Sequence, residues 1–269
     1  MVRITASFIA VSILCTRATS AIIVPTTSGF TSSERHVLDS AVGYWEQLIS
    51  DPLTVRVSFS KEALAGDLLG VSSKFTEGPN GLPLSGSVQI DNREGSVIGW
   101  FVDPTPALNE EFLPGFTPYH RRGRLGTPAG ENYDLLTVLN HELAHIFGFS
   151  VSYSRFQSHV SDADYGLREY HGSGVSAVLT PVYEGTHLND AVQPYDLLDT
   201  FRSRGERVFP SDLDLDILSD AFGYRVGRPP IANPVPEPHT FFSVAVGLLI
   251  VLIAARRLRP HFVASLEKR

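Results

Sequence analysis

The chain has 269 residues, 43% hydrophobic and 19% charged, with one cysteine. This composition excludes a disordered tail, a collagen and a coiled coil, and a lone Cys15 excludes a disulfide scaffold or a zinc ribbon. Its 22 Lys+Arg against 29 Asp+Glu give a net charge of −7, which argues against a nucleic-acid binder, because phosphates call for a basic footprint.

Residues 1–21 read as a signal peptide. Arg3 is followed by the apolar run Phe8 to Leu14 and by the small residues Ala18, Thr19, Ser20 and Ala21, with cleavage expected after Ser20 or Ala21. The run is too short to span a bilayer. Residues 22–228 form the expected catalytic domain. Ile22 to Pro25 suits a short strand. Thr31-Ser32-Ser33-Glu34 is a capping box, and Val37, Leu38, Ala41, Trp45 and Leu48 recur at helical spacing after it, so a helix is predicted to about Ser50. Leu53 to Phe59 alternates as a strand, with Val55, Val57 and Phe59 on one face. Residues 62–72 show no clear period. Ser85 to Ile90 and Val97 to Val102 are predicted strands, and residues 104–131, rich in Pro and Gly, a loop that holds the basic cluster Arg121, Arg122 and Arg124. Tyr133 to Phe147 is a strong helix, with Asp134 as N-cap and Gly148 as the exit. Residues 149–186 have no clear period, and Ser211 caps a last helix that turns Leu213, Ile217 and Phe222 to the core. The order predicts an α+β fold.

Residues 229–236 read as a linker and 237–269 as a sorting or anchor segment. Thr240 to Ala255 is sixteen residues without a charge, followed by Arg256, Arg257 and Arg259. As a helix this run rises roughly 24 Å, a little under the ~30 Å hydrocarbon core. The arginines belong on the cytoplasmic side, leaving residues 22–236 exported. Val235-Pro236-Glu237-Pro238, the apolar helix and the arginine cluster together resemble the PEP-CTERM sorting signal of Gram-negative bacteria. The resemblance implies recognition by an exosortase-type partner, with a fate anchored in the cell envelope or released to the extracellular matrix. The stretch from His261 to Arg269 is longer than such tails usually are.

The chemistry is concentrated in His141-Glu142-Leu143-Ala144-His145. Residues four apart on a helix share a face, so both imidazoles reach one ion. Zinc accepts imidazole nitrogen, is not redox active and lowers the pKa of its bound water to about 7. Glu142 is placed to take that water's proton and hand it to the leaving amine. A catalytic zinc usually has a third protein ligand. The close-spaced position, six residues after His145, is Val151, so the third ligand lies further on, among His159, His171, Glu184, His187 and Asp190. His187 is preferred because it leads into a compact stretch ending in Tyr195-Asp196-Leu197-Leu198.

The run from His141 to Ser150 also resembles the metzincin motif in its leishmanolysin-like form, where the third histidine follows an insertion after the glycine. Thr186-His187, Asp196-Leu197-Leu198 and the helix through Leu213, Ile217 and Phe222-Gly223-Tyr224 resemble the later stretch of that family. The resemblance implies a metzincin-like zinc protease domain in which His141, His145 and His187 are zinc ligands and Glu142 is the catalytic base. Leu198 stands where the family places a methionine under the metal; the two side chains are close in volume. The expected activity is exported, zinc-dependent endopeptidase cleavage of a protein or peptide. Two rivals remain: a non-catalytic envelope or matrix protein in which zinc is a structural pin, and a hydrolase of non-peptide amides. Tyr195 is a candidate oxyanion donor.

Overall fold

A computed structural model describes residues 20–92, 99–180, 186–200 and 202–227. The signal-peptide residues up to 19, the linker, the sorting segment, Glu184 and the first part of the expected 97–102 strand lie outside these residues. None of the helices among the described residues is long and apolar enough to cross a membrane.

The chain opens with β1 (Ile22–Ser28), α1 (Ser32–Leu48) and β2 (Thr54–Glu62). β1 and β2 pair in parallel, so α1 is the crossover between them. The capping box starts α1: Thr31 Oγ1 accepts from the Glu34 amide, and the Glu34 carboxylate accepts from the Thr31 amide at 2.8 Å. Val37, Leu38, Ala41, Trp45 and Leu48 of α1 and Val55, Val57 and Phe59 of β2 are buried in one core. β3 (Gly70–Glu77) and β4 (Pro83–Asp91) complete a four-stranded sheet of order β1-β2-β4-β3. β4 runs parallel to β2, and β3 is the antiparallel edge.

Short pieces follow. β5 (Trp100–Phe101), β6 (Phe112–Pro114), β7 (His120–Gly123) and α2 (Pro128–Glu131) precede β8 (Tyr133–Asp134) and α3 (Leu135–Ile146). The region read as a loop over 104–131 therefore holds two strands and a helical turn, and Arg121 and Arg122 lie in β7, not in a loop. The long helix begins two residues later than its sequence suggests, because Tyr133 and Asp134 pair with β5. Asp134 caps it, accepting from the Thr137 amide at 3.1 Å and hydroxyl at 2.7 Å. Every residue of α3 is buried, packed between α1 and the sheet.

Beyond α3 come α4 (Ser154–Gln157) and a three-stranded antiparallel sheet of β9 (Val160–Asp162), β10 (Arg168–His171) and β11 (Ser176–Leu179). β12 (Glu206–Val208) pairs with β7, and α5 (Asp212–Phe222) closes the domain behind a second capping box at Ser211. The described residues thus form a mixed arrangement of helices and sheets, with a largely parallel main sheet set by the β1–α1–β2 crossover.

Two features fix α3 in place. Arg207 of β12 is fully buried, and its guanidinium pairs with Asp103 at 2.7 Å and with the N-cap Asp134 at 2.8 Å. It also lies over the Phe112 ring, 4.2 Å from the centroid. Removing one partner of such a set leaves a buried charge uncompensated, a loss of about 3–5 kcal/mol. At the other end Gly148 has φ +127°, and a Cβ there would come within 2.3 Å of the Phe222 ring. A side chain at 148 is barred both by backbone conformation and by α5.

Candidate metal centre

α3 presents His141 and His145 one turn apart, and the segment after β11 brings His187 to them. The three Nε2 atoms form a near-equilateral triangle: 3.1 Å from His141 to His187, 3.2 Å from His145 to His141 and 3.3 Å from His145 to His187. Two zinc–nitrogen bonds of 2.0–2.1 Å at a tetrahedral angle separate their nitrogens by about 3.3–3.4 Å. Among the described residues this is the one group of three or more His, Cys, Asp or Glu side chains suited to an ion.

The outer nitrogens say what the inner ones carry. His141 Nδ1 is 2.6 Å from the Leu197 carbonyl, and His145 Nδ1 is 2.7 Å from the Phe149 carbonyl. A carbonyl only accepts, so each Nδ1 holds the proton and each Nε2 is left with a lone pair. The 3.2 Å contact between His145 and His141 is then two lone pairs facing each other, not a hydrogen bond. A cation held by the three Nε2 atoms would turn this repulsion into ligation, and the carbonyls would be the outer partners that set ring orientation and basicity.

Protons do not resolve the contact. Burial lowers the pKa of all three rings. His145 is brought down to about 4, against the Phe149 hydrogen bond that favours its charged form. His141 lies well below its ordinary value through burial, then through His145, His187 and Arg202 nearby. His187 is lowered by burial, His145 and Arg202. Neutral imidazole is the metal-binding form, so a proton competes with the metal only in acid. Zinc affinity measured by chelator competition is expected to stay level from pH 8 to below pH 6 and to fall toward pH 4. A decline that begins at pH 6.5, where a solvated histidine titrates, would contradict the buried triad. The metal-free protein follows the same sign: the folded rings resist protonation, so stability present above pH 6.5 is lost as pH falls toward 4.

Glu142 points to the edge strand. Ser72 of β3 sits 2.8 Å from Glu142 Oε2 and 2.9 Å from its backbone carbonyl. Gly70, two residues earlier, leaves room for the other oxygen: a Cβ there would lie 2.7 Å from Oε1. Burial pushes the carboxyl up to about 7, opposed by the Ser72 hydrogen bond. A carboxylate near neutrality is suited to exchange a proton at working pH.

The turn from Tyr195 to Asp199 lies behind the triad. Its Leu197 carbonyl holds His141, and its Leu198 carbonyl accepts from the amide of Leu188, the residue after His187. Leu198, at the position the resemblance gives to methionine, is fully buried. Asp214, at the start of α5, is buried and accepts from the Leu197 and Ser211 amides. Tyr195 has φ +71° and stacks on Phe116, with ring centroids 4.8 Å apart, beside His120 at 4.7 Å.

Of the other third-ligand candidates, His171 ends β10 and His159 immediately precedes β9, where its Nδ1 meets the His171 carbonyl. Asp190 accepts from the Thr200 amide. None of the three joins the triad, and Glu184 lies outside the described residues. Sequence reasoning missed Ser72, Gly70, Arg202 and Asp214 as parts of the site. The first two lie in a strand with no strong period, and the last two are charged side chains that pattern reading assigns to the surface. Set against protein-family profiles and curated proteins, the chain matches none.

Proposed function

We propose that this chain is a zinc-dependent endopeptidase, a leishmanolysin-like member of the metzincins by its motif. The observation that carries the reading is the Nε2 triangle with Glu142 on the same helix. Three imidazoles suit several transition metals. Zinc is favoured by a set of three imidazoles that, among the described residues, is joined by no carboxylate or thiolate, as in catalytic sites that keep a position for water or substrate.

When bound, zinc supplies a Lewis acid for the scissile carbonyl and acidifies a water at neutral pH. The chain's own groups do the rest. His141, His145 and His187 hold the ion, with the first two oriented by backbone carbonyls. Ser72 occupies Oε2 of Glu142, leaving Oε1 to take the proton from the attacking water and to deliver it to the departing amine. Burial raises this carboxyl and the cation would draw it back down, so it would exchange that proton between the ordinary carboxylate range and neutrality.

Peptide is favoured over a small amide by the strand beside the base. Among the described residues β3 is an edge strand of the main sheet, and its Gly70 and Ser72 touch Glu142. An edge strand offers unpaired amides and carbonyls to an extended peptide, which binds by adding a strand. Export by residues 1–21, and sorting through residues 237–269 by an exosortase-type partner with membrane attachment, belong to the same proposal. They rest on the sequence of those segments.

Incubation with an unfolded protein substrate tests the activity. New N-termini should appear by mass spectrometry, vanish with a chelator and return on adding zinc. One tightly held zinc per chain with no cleavage of any protein would favour the structural-pin reading. Turnover of small amides alone would favour the amide-hydrolase one.

A further inference from the structure

We propose that Arg202 is a positioning residue for the metal centre: its buried guanidinium braces the 195–199 turn, and through that turn it fixes His141 and His187. The proposal rests on reading the triad as a metal site.

Arg202 lies three residues past the turn with its side chain only 8% exposed. Its Nη2 donates to two successive carbonyls of the turn, those of Asp196 and Leu197. The Leu197 carbonyl is the one that accepts from His141 Nδ1. Nη1 lies 3.7 Å from Asp199 Oδ2. That same oxygen accepts from the Tyr195 amide at 2.7 Å, closing the turn on itself. From the opposite side Asp214 takes the Leu197 amide at 3.1 Å. The peptide unit before Leu197 is therefore held by both the Asp214 carboxylate and the Arg202 guanidinium, and the unit after it by the guanidinium.

The turn reaches two ligands. Leu197 orients His141 directly. Leu198 accepts from Leu188 at 2.9 Å, and the Thr180 amide of the chain just after β11 donates to the His187 carbonyl at 3.0 Å. His187 thus hangs between β11 and the turn. His145 is independent of it, since its partner Phe149 follows directly from α3. A segment far along the chain must be pinned to place a third ligand to within a few tenths of an ångström, and a rigid planar fork with Nη2 on two adjacent carbonyls and Nη1 toward Asp199 does this better than a single flexible ammonium. Burying a guanidinium is costly unless it is paired and hydrogen-bonded. Asp199, itself buried, pairs with Nη1 and the two carbonyls accept from Nη2, while Nε is buried without a hydrogen-bond partner among the described residues.

Removing the charge alone strands Asp199, so two variants are needed. Arg202→Lys keeps the charge and loses the fork; the double variant Arg202→Met with Asp199→Asn removes both charges, while an asparagine oxygen still accepts from Tyr195. Zinc affinity is read by chelator competition, ligand geometry by the visible spectrum of the cobalt-substituted protein, and folding by the melting of each metal-free form. Both variants are expected to fold, to bind zinc about 10–100-fold more weakly, the range for outer-shell partners, and to show an altered cobalt spectrum, with Arg202→Lys the milder. Wild-type affinity and spectrum in a folded variant would overturn the proposal, as would a lower metal-free melting temperature with unchanged affinity. The wild-type controls separate this from the functional reading. Wild-type protein that binds zinc but cleaves no peptide removes the peptidase and leaves Arg202 standing. Wild-type protein that binds no metal removes both.

Discussion

Glu142→Gln should retain one zinc per chain and lose peptide hydrolysis by about 10²–10⁴-fold, the usual contribution of a positioned acid–base group. The substitution is nearly isosteric. Ser72 donates to Oε2 at 2.8 Å, and an amide oxygen can accept that hydrogen bond in its place. The fold around β3 and α3 should therefore survive. What is lost is a carboxyl that can exchange a proton. Burial raises Glu142 to about 7 in the metal-free chain, and a divalent cation held by the triad would draw it back down. The acid limb of kcat/KM in the wild-type protein should accordingly fall above the ordinary range near 4.3 and no higher than about 7. Full turnover in the glutamine variant would remove Glu142 from the mechanism. Loss of zinc along with activity would make its role structural.

His187→Ala should have the largest effect on the metal. It removes one corner of the triangle, leaving two ligands on one helix. The loss in zinc affinity should exceed the 10–100-fold that outer-shell changes cost, and peptide hydrolysis should fall to background at ordinary zinc concentrations. His159→Ala and His171→Ala are the controls, since both rings lie in the β9–β10 region and not with the triad. They should leave zinc content and turnover unchanged. If His187→Ala binds zinc like the wild type while one of the controls does not, the third ligand has been misassigned.

The legibility of the chain follows a physical line. Features written in local periodicity were readable. The Thr31 and Ser211 caps, the alternation of Val55, Val57 and Phe59, and the shared face of His141 and His145 each need only neighbouring residues. Features that arise from distant packing were not. β3 has the sequence Gly-Val-Ser-Ser-Lys-Phe-Thr-Glu, is only partly buried at most positions, and is interrupted by shifts in register, so neither alternation nor a turn signal marks it. β6, β7 and β9 to β12 span three or four residues each, too few to show a period. Arg207 and Asp214 are the sharper cases. A lone charged residue reads as surface, yet both are buried because partners about 70–100 and 17 residues away, respectively, complete their hydrogen bonds.

The same line runs through the site. The helix pair and the base come as one word of sequence, while the partners that tune them arrive from elsewhere: Ser72 from the sheet edge, Leu197 and Arg202 from a turn after a long irregular stretch. His187 carries no local mark of ligation. Its preference over other candidates came from the compact stretch after it and from a family resemblance, and its place beside the pair depends on hydrogen bonds to β11 and the 195–199 turn.

Diffraction from crystals grown with zinc, recorded on both sides of the zinc absorption edge, tests the centre most directly. A single anomalous peak about 2.0–2.1 Å from Nε2 of His141, His145 and His187 is the predicted result. Density for three imidazoles with no anomalous scatterer between them at saturating zinc, or a peak bound by other side chains, would contradict it.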